Sequence, residues 1–459
     1  MIFHAPFALL PEGWRQDVLL QTDSSGLLTT CEPGPVPATA LRLAGPVLPG
    51  FANVHSHAFQ RALLGRTQVA GTFADDFWTW REAMYGLVGK LTAEDLAAIA
   101  AQVYVEMLKG GYTTVCEFHY LHRDGAGAWP VPAEQHARVL LEAAREAGIA
   151  LTLLPALYLN GDFGGQALAP RQARFRSTAD DVLAMLAALR PEADRDPLLR
   201  LGVAPHSLRA VPKEALGRLI EGLQAMDAGA PIHLHIAEQS AEVDRSIATL
   251  GQRPVAWLLD NFPVDRRWCL VHATHLAGEE VRELARSGAV AGLCPSTEAD
   301  LGDGLFPLAD FLAAGGSLAI GSDSNLCNNV FEELRWLEYG QRLRAQSRNI
   351  AASAAGSSLG STLVDAALAG GAQAAAQPVG ALAAGRRADF LVLNPRHPLL
   401  LGQAPEHWLD ALVFGSVAAS PIEAVYVAGR RVIDGARHPR EDAIAERFAR
   451  TMARLGKLL

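Results

Sequence analysis

Two histidines one residue apart, His55 and His57, close a short apolar run. Four more polar clusters stand at the ends of similar runs: Pro205-His206-Ser207, His233-Leu234-His235 with Glu238, Val271-His272, and Gly321-Ser322-Asp323. Alternate residues of an extended strand project to one side, so His55 and His57 can reach a single ion from the last turn of a strand. A third imidazole and a carboxylate then complete a nitrogen and oxygen shell suited to zinc. A lone His-X-His is weak, but its coincidence with polar residues after four later apolar runs is specific. The layout is that of one metal-hydrolase site assembled from the strand ends of a barrel.

The elements that would position these residues are legible as alternating strands and helices from Pro46 onward. Eight strands are expected: Val47 to Val54, Thr113 to Phe118, Ala150 to Leu157, Leu201 to Ala204, Pro231 to Ile236, Cys269 to Ala273, Ala289 to Cys294 and Ser317 to Gly321. Helical periodicity fills most gaps, as in Ala93 to Gly110, Ala133 to Gly148 and Thr178 to Leu189. Eight such units close into a (β/α)8 TIM barrel, which places chemistry at the carboxyl ends of its strands. Before the barrel, residues 14 to 45 alternate polar and apolar as short antiparallel strands do. After about residue 376 short strands return, at Ala388 to Leu393, Ala411 to Phe414 and Ala424 to Gly429, the last turning back through Gly429-Arg430 as a hairpin. The expected organisation is an α/β barrel over 46–376 with a small discontinuous β domain from 1–45 and 377–438. A C-terminal helix at 439–459 is expected to pack on the barrel or on a neighbouring subunit.

The chain has 459 residues, half of them hydrophobic and 19% charged, enough for such a barrel and its core. The net charge of −9, with no basic stripe, predicts no nucleic-acid partner. The opening Met1-Ile2-Phe3-His4 has no basic segment leading into an apolar one, and no apolar run approaches the roughly 20 residues of a membrane span. A cytoplasmic enzyme without membrane contact is the expectation. Cys31, Cys116, Cys269, Cys294 and Cys327 are odd in number and widely spaced, mostly within strand-like runs, and read as reduced thiols.

This constellation resembles the amidohydrolase superfamily across nearly the whole chain, and within it the mononuclear deaminase branch. The resemblance implies metal ligands His55 and His57 on strand one, His235 on strand five and Asp323 on strand eight. His235 is preferred to His233 because His235-Ile236-Ala237-Glu238 matches the branch's His-X-X-Glu. Binuclear relatives carry a lysine near the end of strand four, where this chain has Ala204-Pro205-His206-Ser207, so a single zinc is expected. Zinc makes hydroxide available near neutral pH. Asp323 would accept the water's proton, Glu238 would relay protons to the leaving nitrogen, and His272 would orient the nucleophile.

A narrower resemblance is to the deiminases of that superfamily that act on N-formimidoyl-L-glutamate. It is carried by Asn53-Val54-His55-Ser56-His57-Ala58-Phe59-Gln60-Arg61, Phe77-Trp78-Thr79-Trp80-Arg81, Glu117-Phe118-His119-Tyr120, Ala204-Pro205-His206-Ser207-Leu208-Arg209 and Gly321-Ser322-Asp323-Ser324-Asn325. It implies hydrolysis to N-formyl-L-glutamate and ammonia in histidine breakdown, a homodimer, and substrate held by Gln60, Arg81, Tyr120, His206 and Arg209. A dianionic amino-acid substrate needs forked cationic donors, which Arg81 and Arg209 supply. Arg171, Arg174 and Arg176 stay open between an anion-guiding lid and a solvated face, outside the expected site. Two other functions are weighed. The aromatic residues Phe77, Trp78 and Trp80 could stack guanine or an adenosine derivative in a related deaminase. A catalytically idle metal-binding scaffold would need neither Glu238 nor His272.

Overall fold

At Gly50 the chain passes from one sheet into another. The expected strand Val47 to Val54 divides there. Val47–Pro49 pairs antiparallel with Phe390–Leu393 and parallel with Ile2–Leu10, whereas Phe51–Ser56 pairs parallel with Tyr112–His119. A side chain at position 50 would meet Thr113 at 2.3 Å, so only glycine allows the crossing. The structure, a computed structural model, describes residues 1–70, 75–352, 354 and 356–458. Ser353 and Ala355, in the Ala/Gly/Ser-rich stretch, and Leu459, the last residue of the expected terminal helix, lie outside the described residues.

The parallel strands of the (β/α)8 barrel are Phe51–Ser56 (strand one), Tyr112–His119 (two), Ala150–Leu157 (three), Leu199–Leu201 with Ala204–Pro205 (four), Ile232–Ile236 (five), Trp268–His272 (six), Val290–Leu293 (seven) and Ser317–Ile320 (eight). Strand four breaks at Gly202, where a side chain would meet the Pro231 carbonyl at 2.5 Å. Ladder pairing runs from strand one to four and from five to eight. The arcs meet at two seams of isolated parallel bridges, Val203 with Ile232 and Ser207 with His235 on one side, Ser56 with Asp323 on the other. Four of these bridging residues, Ser56, Ser207, His235 and Asp323, belong to the polar clusters at the strand ends.

Helices cover the barrel as the periodicity predicts. Ala93–Lys109 starts at a Thr92/Asp95 capping box and Ala179–Ala193 at a Thr178/Asp181 box, while Gln135–Ala147 ends on left-handed Gly148. The helix Leu359–Ala375 lies across strands one and eight. Its Gly370 and Gly371 permit that approach, because a side chain at 370 would overlap the Leu318 carbonyl and one at 371 would press on Ala52.

Strands from both ends of the chain form one sheet in the order Arg430–Ile433, Ile422–Val427, Phe390–Leu393, Val47–Pro49, Ile2–Leu10, Gly13–Thr22, Leu28–Pro33, with Leu41–Arg42 beside Ile2–Leu10. Its own core centres on Phe3, Phe390 and Tyr426. Two expectations need correction. The sheet begins at Ile2 rather than near residue 14, since Ile2 to Leu10 is apolar on both faces and shows no alternation. Ala411 to Phe414 is helical, the end of Trp408–Phe414. Trp408, Leu409, Leu412 and Val413 bury one face, and Asp410 Oδ1 accepts the Gly360 N–H at 2.7 Å. Four consecutive apolar residues carry no period that separates helix from strand. The terminal helix Glu441–Gly456 packs on Ala93–Lys109 through Lys109–Glu441 (2.8 Å) and Arg454–Asp95 pairs. Among the described residues no helix is long and apolar enough to cross a membrane.

Candidate active site

Strand one ends in His55-Ser56-His57, and the turn after strand eight is bonded straight onto it. Ser322 and Asp323 donate their N–H groups to the His55 carbonyl at 3.0 and 2.9 Å, and His57 N–H donates to the Asp323 carbonyl at 3.0 Å. Asp323 reaches this position with φ +48°, and Asn325 with φ +60°. Such backbone costs about 1–3 kcal/mol per residue and persists only where surroundings enforce it. Here they do. Asn53 Oδ1 accepts from Ser322 N–H (3.1 Å) and His55 N–H (3.2 Å), and Asn325 Nδ2 donates to the carbonyls of His57 and Asp323 at 3.1 and 3.0 Å. Asn53, Ser322 and Asn325 were absent from the expected site. They hold backbone rather than substrate, and their neighbourhood to the histidine and aspartate motifs is the only sequence signal they give.

His57 Nδ1 lies 2.9 Å from the Phe118 carbonyl and His235 Nδ1 2.9 Å from the His206 carbonyl. A carbonyl only accepts, so each Nδ1 carries the proton and each Nε2 presents a bare lone pair. Those two lone pairs are 3.3 Å apart, and His55 Nε2 stands 3.0 Å from His235 Nε2. Asp323 Oδ1 completes the group, 3.4 Å from His55 Nε2 and 3.5 Å from His57 Nε2. Burial pulls all three imidazoles below the usual histidine range, so protonation does not relieve the crowding. Converging imidazole nitrogens and a carboxylate fit a divalent cation, and the carbonyl-anchored Nδ1 atoms of His57 and His235 are the outer contacts that ligating histidines make. His233, two residues before His235, instead bonds the Ala374 carbonyl at 2.9 Å through Nε2, deeper in the barrel.

Beside this group stand Glu238 and His272. His272 Nε2 is 3.8 Å from Asp323 Oδ2 and 3.9 Å from Glu238 Oε1, and its Nδ1 donates to Glu298 Oε1 at 3.2 Å. Burial raises the Glu238 carboxyl above the usual carboxylate range, with His272 and Arg209 pulling the other way. Burial would lower His272, but Glu238 and the Glu298 hydrogen bond carry it above the ordinary value. Glu298, from the short helix Pro295–Leu301 after strand seven, was not anticipated. Its only sequence signal is a carboxylate four residues beyond the strand end.

A cavity opens over these groups, and all five expected substrate residues line it together with His57, His235, Glu238, His272 and Asp323. His55 lies fully buried beneath. Gln60 Nε2 donates to Tyr120 Oη at 2.8 Å, Gln60 Oε1 has no partner among the described residues, and His206 Nδ1 is 3.0 Å from Ser207 Oγ. Among the described residues the Nε atoms of Arg81 and Arg209 are buried and unpartnered. Burial would lower Arg209, but Glu242 foremost, then Tyr158 and Glu238, hold it above the usual arginine value. Phe77 and Trp80 line the cavity, while Trp78 is clasped between Arg81 (4.4 Å) and Arg245 (4.6 Å). Arg174 is neither lid nor solvated: it is buried and donates to the carbonyls of Arg123, Val88 and Leu91. Tyr85 and Tyr158 also line the cavity and were not foreseen.

The chain belongs to the amidohydrolase family, whose sequence profile matches residues 47–432. It is 49% identical to the formimidoylglutamate deiminase of Pseudomonas aeruginosa over 98% of each chain. Among solved structures it is similar to an amidohydrolase from Brucella melitensis, with a TM-score of 0.92 at 40% identity over 99% of each chain. An adenosine deaminase from Xanthomonas campestris with bound zinc shares the fold, with a TM-score of 0.81 at 21% identity over 99% of this chain and 98% of that one.

Proposed function

We propose that this enzyme hydrolyses N-formimidoyl-L-glutamate to N-formyl-L-glutamate and ammonia, as a step of histidine breakdown. The observation that carries the reading is the cavity itself, which joins a cluster of imidazole nitrogens and a carboxylate to the Nε–H groups of Arg81 and Arg209, both buried and without a hydrogen-bond partner among the described residues. An uncharged heterocycle would leave those buried donors unmatched, at a cost of about 1–3 kcal/mol each. A substrate with two carboxylates satisfies them.

His55, His57, His235 and Asp323 would hold one zinc ion. Bound there, zinc supplies Lewis-acid activation that brings the pKa of water to about 7. The Asp323 carboxylate takes the first proton from the attacking water. His272, fixed through Nδ1 by Glu298, directs its Nε2 edge at the same space and orients that water. Glu238 delivers a proton to the terminal nitrogen of the formimino group, the carbon–nitrogen bond to that nitrogen breaks, and ammonia departs. Protonation of the internal nitrogen would release glutamate and formamide instead. Gln60, Tyr120, His206, Arg81 and Arg209 grip the substrate's polar ends. The enzyme acts in the cytoplasm as a homodimer, without nucleic-acid or membrane partners.

Ammonia release by the purified protein with N-formimidoyl-L-glutamate tests this, with product masses recorded and guanine and adenosine run in parallel. Ammonia with N-formyl-L-glutamate is the expected result. Turnover of a purine alone overturns the substrate, and formamide overturns the site of cleavage. No turnover on any of the three by metal-loaded protein overturns the catalytic reading.

A further inference from the structure

Gln172 takes no part in the chemistry above, yet it is buried and its amide is fully committed. It sits in the short helix Pro170–Phe175 of the excursion after strand three. Its Oε1 accepts the Ala169 N–H at 2.9 Å, which decides which end of the amide is oxygen. The Nε2 end therefore faces Tyr85 Oη at 3.1 Å and Tyr158 Oη at 3.0 Å. An amide nitrogen only donates, so both phenol oxygens accept there, and each phenol's own proton points elsewhere. Among the described residues no protein acceptor takes either proton, and both phenols line the cavity. Burial pushes the Tyr158 phenol above the usual tyrosine range, against the opposing fields of Arg209 and Arg81, so it remains a donor at neutral pH. Those two arginines line the same cavity, and their Nε–H groups are likewise unclaimed.

We infer that Gln172 is a specificity-determining residue. By holding Tyr85 and Tyr158 as acceptors it turns their protons into the cavity and makes the arginine-lined region a donor-only surface. Such a surface takes a carboxylate, which offers only lone pairs, and rejects a carboxamide of the same shape, whose NH2 protons would meet other donors. The inference rests on the proposed dicarboxylate substrate.

The test compares N-formimidoyl-L-glutamate with its two monoamides, N-formimidoyl-L-glutamine and the α-amide isomer, as kcat/KM ratios for the wild type, Gln172→Glu, Gln172→Leu and Tyr158→Phe. In Gln172→Glu the new carboxylate accepts both phenol protons and reverses the pattern. The ratio against at least one amide is expected to fall tenfold or more, with KM for the diacid rising more than kcat falls. Gln172→Leu frees the phenols to rotate and is expected to lower the ratio without adding charge, and combined with Tyr158→Phe its effect is expected to be less than additive. A purely structural glutamine would lower thermal stability and leave every ratio unchanged, and that result overturns the inference. Should a glutamate variant fail to fold, the leucine variant and Tyr158→Phe carry the same comparison. A wild type inactive on the diacid overturns the substrate reading and this inference together. An active wild type whose variants keep its ratios overturns this inference alone.

Discussion

Glu238 and Arg209 share one cavity but act on different parts of the energy profile. Glu238 moves a proton, so Glu238→Gln is expected to keep its metal by elemental analysis and lose turnover by about 10²–10⁴-fold. Retained turnover would remove it from the proton relay. Arg209 binds, and Arg209→Ala is expected to raise KM by about ten- to a hundredfold with a smaller change in kcat, the loss of one charge-assisted contact. An unchanged KM would mean that Arg209 grips no carboxylate. At this scale the sequence was informative wherever chemistry sits in a short motif. His55, His57, His235 with Glu238, His272 and Asp323 each announce themselves at the end of an apolar run, and the structure brings them together. Glu298 does not, because its partner His272 lies 26 residues away and meets it only when strands six and seven align. Tyr85, Tyr158 and Gln172 come from a helix, the end of strand three and a short 3-10 helix, and no spacing rule links an aromatic residue or glutamine across three such segments.

Strand eight owes its place to a helix that lacks side chains where the two touch. A methyl group added at Gly370 would stand 1.9 Å from the Leu318 carbonyl and 2.7 Å from its carbon, both backbone atoms that cannot swing aside. Gly370→Ala is expected to cost about 2–4 kcal/mol, read as a lowered urea midpoint at unchanged slope. It should also cut turnover at temperatures where the fold persists, because strand eight leads directly into Asp323. A second close approach of the same helix, at Gly360 against Leu409 and Asp410, bears on what sequence periodicity missed. It found the helices with caps and one apolar stripe, as in Ala93–Lys109, but gave an ambiguous Ala-Leu-Val-Phe run to the wrong class. Whether that run is strand or helix depends on the Leu359–Ala375 helix beneath it, which is tertiary information. A buried histidine makes a pH-dependent contribution at this scale. His122 donates from Nε2 to the Ala156 carbonyl at 2.8 Å, and burial lowers its pKa to about 4. Unfolded, it titrates near about 6.5. Between these values the unfolded chain holds a proton that the folded protein does not, so stability falls as pH drops from about 6.5 to 4, by up to about 3 kcal/mol, and is level above. His122→Gln is expected to narrow the difference between urea midpoints at pH 5 and pH 7.5. An equal difference would assign the acid sensitivity elsewhere.

The molecule separates its chemistry from the joint that holds its two sheets together, and the joint is ionic. Arg387, buried between the small sheet and the amino-terminal mouth of the barrel, donates to Asp389 at 2.9 and 2.7 Å, to Thr114 Oγ1 on strand two at 2.7 Å, and to Gln377. Gln377 in turn donates to Thr152 Oγ1 on strand three at 3.0 Å, and Asp389 Oδ1 accepts the Ala428 N–H of the small sheet at 2.8 Å. The acceptors around the guanidinium, Asp389 next to the small sheet, Thr114 on strand two and Gln377 after the Leu359–Ala375 helix, come from segments far apart in sequence, and the pair ties them together. Sequence could place both sheets but not this tie, since Arg387 and Asp389 alternate within an ordinary strand approach and only the fold shows that both are buried. Removing one partner strands the other charge in the interior. Arg387→Met is therefore expected to lose about 3–5 kcal/mol, more than Arg387→Met with Asp389→Leu, where no charge is left unpaired. Chemical denaturation of the two variants checks this order. Because barrel chemistry sits at the opposite, carboxyl ends of the strands, the protein that still folds should keep its KM, and a raised KM at low temperature would mean that the joint reaches the cavity after all.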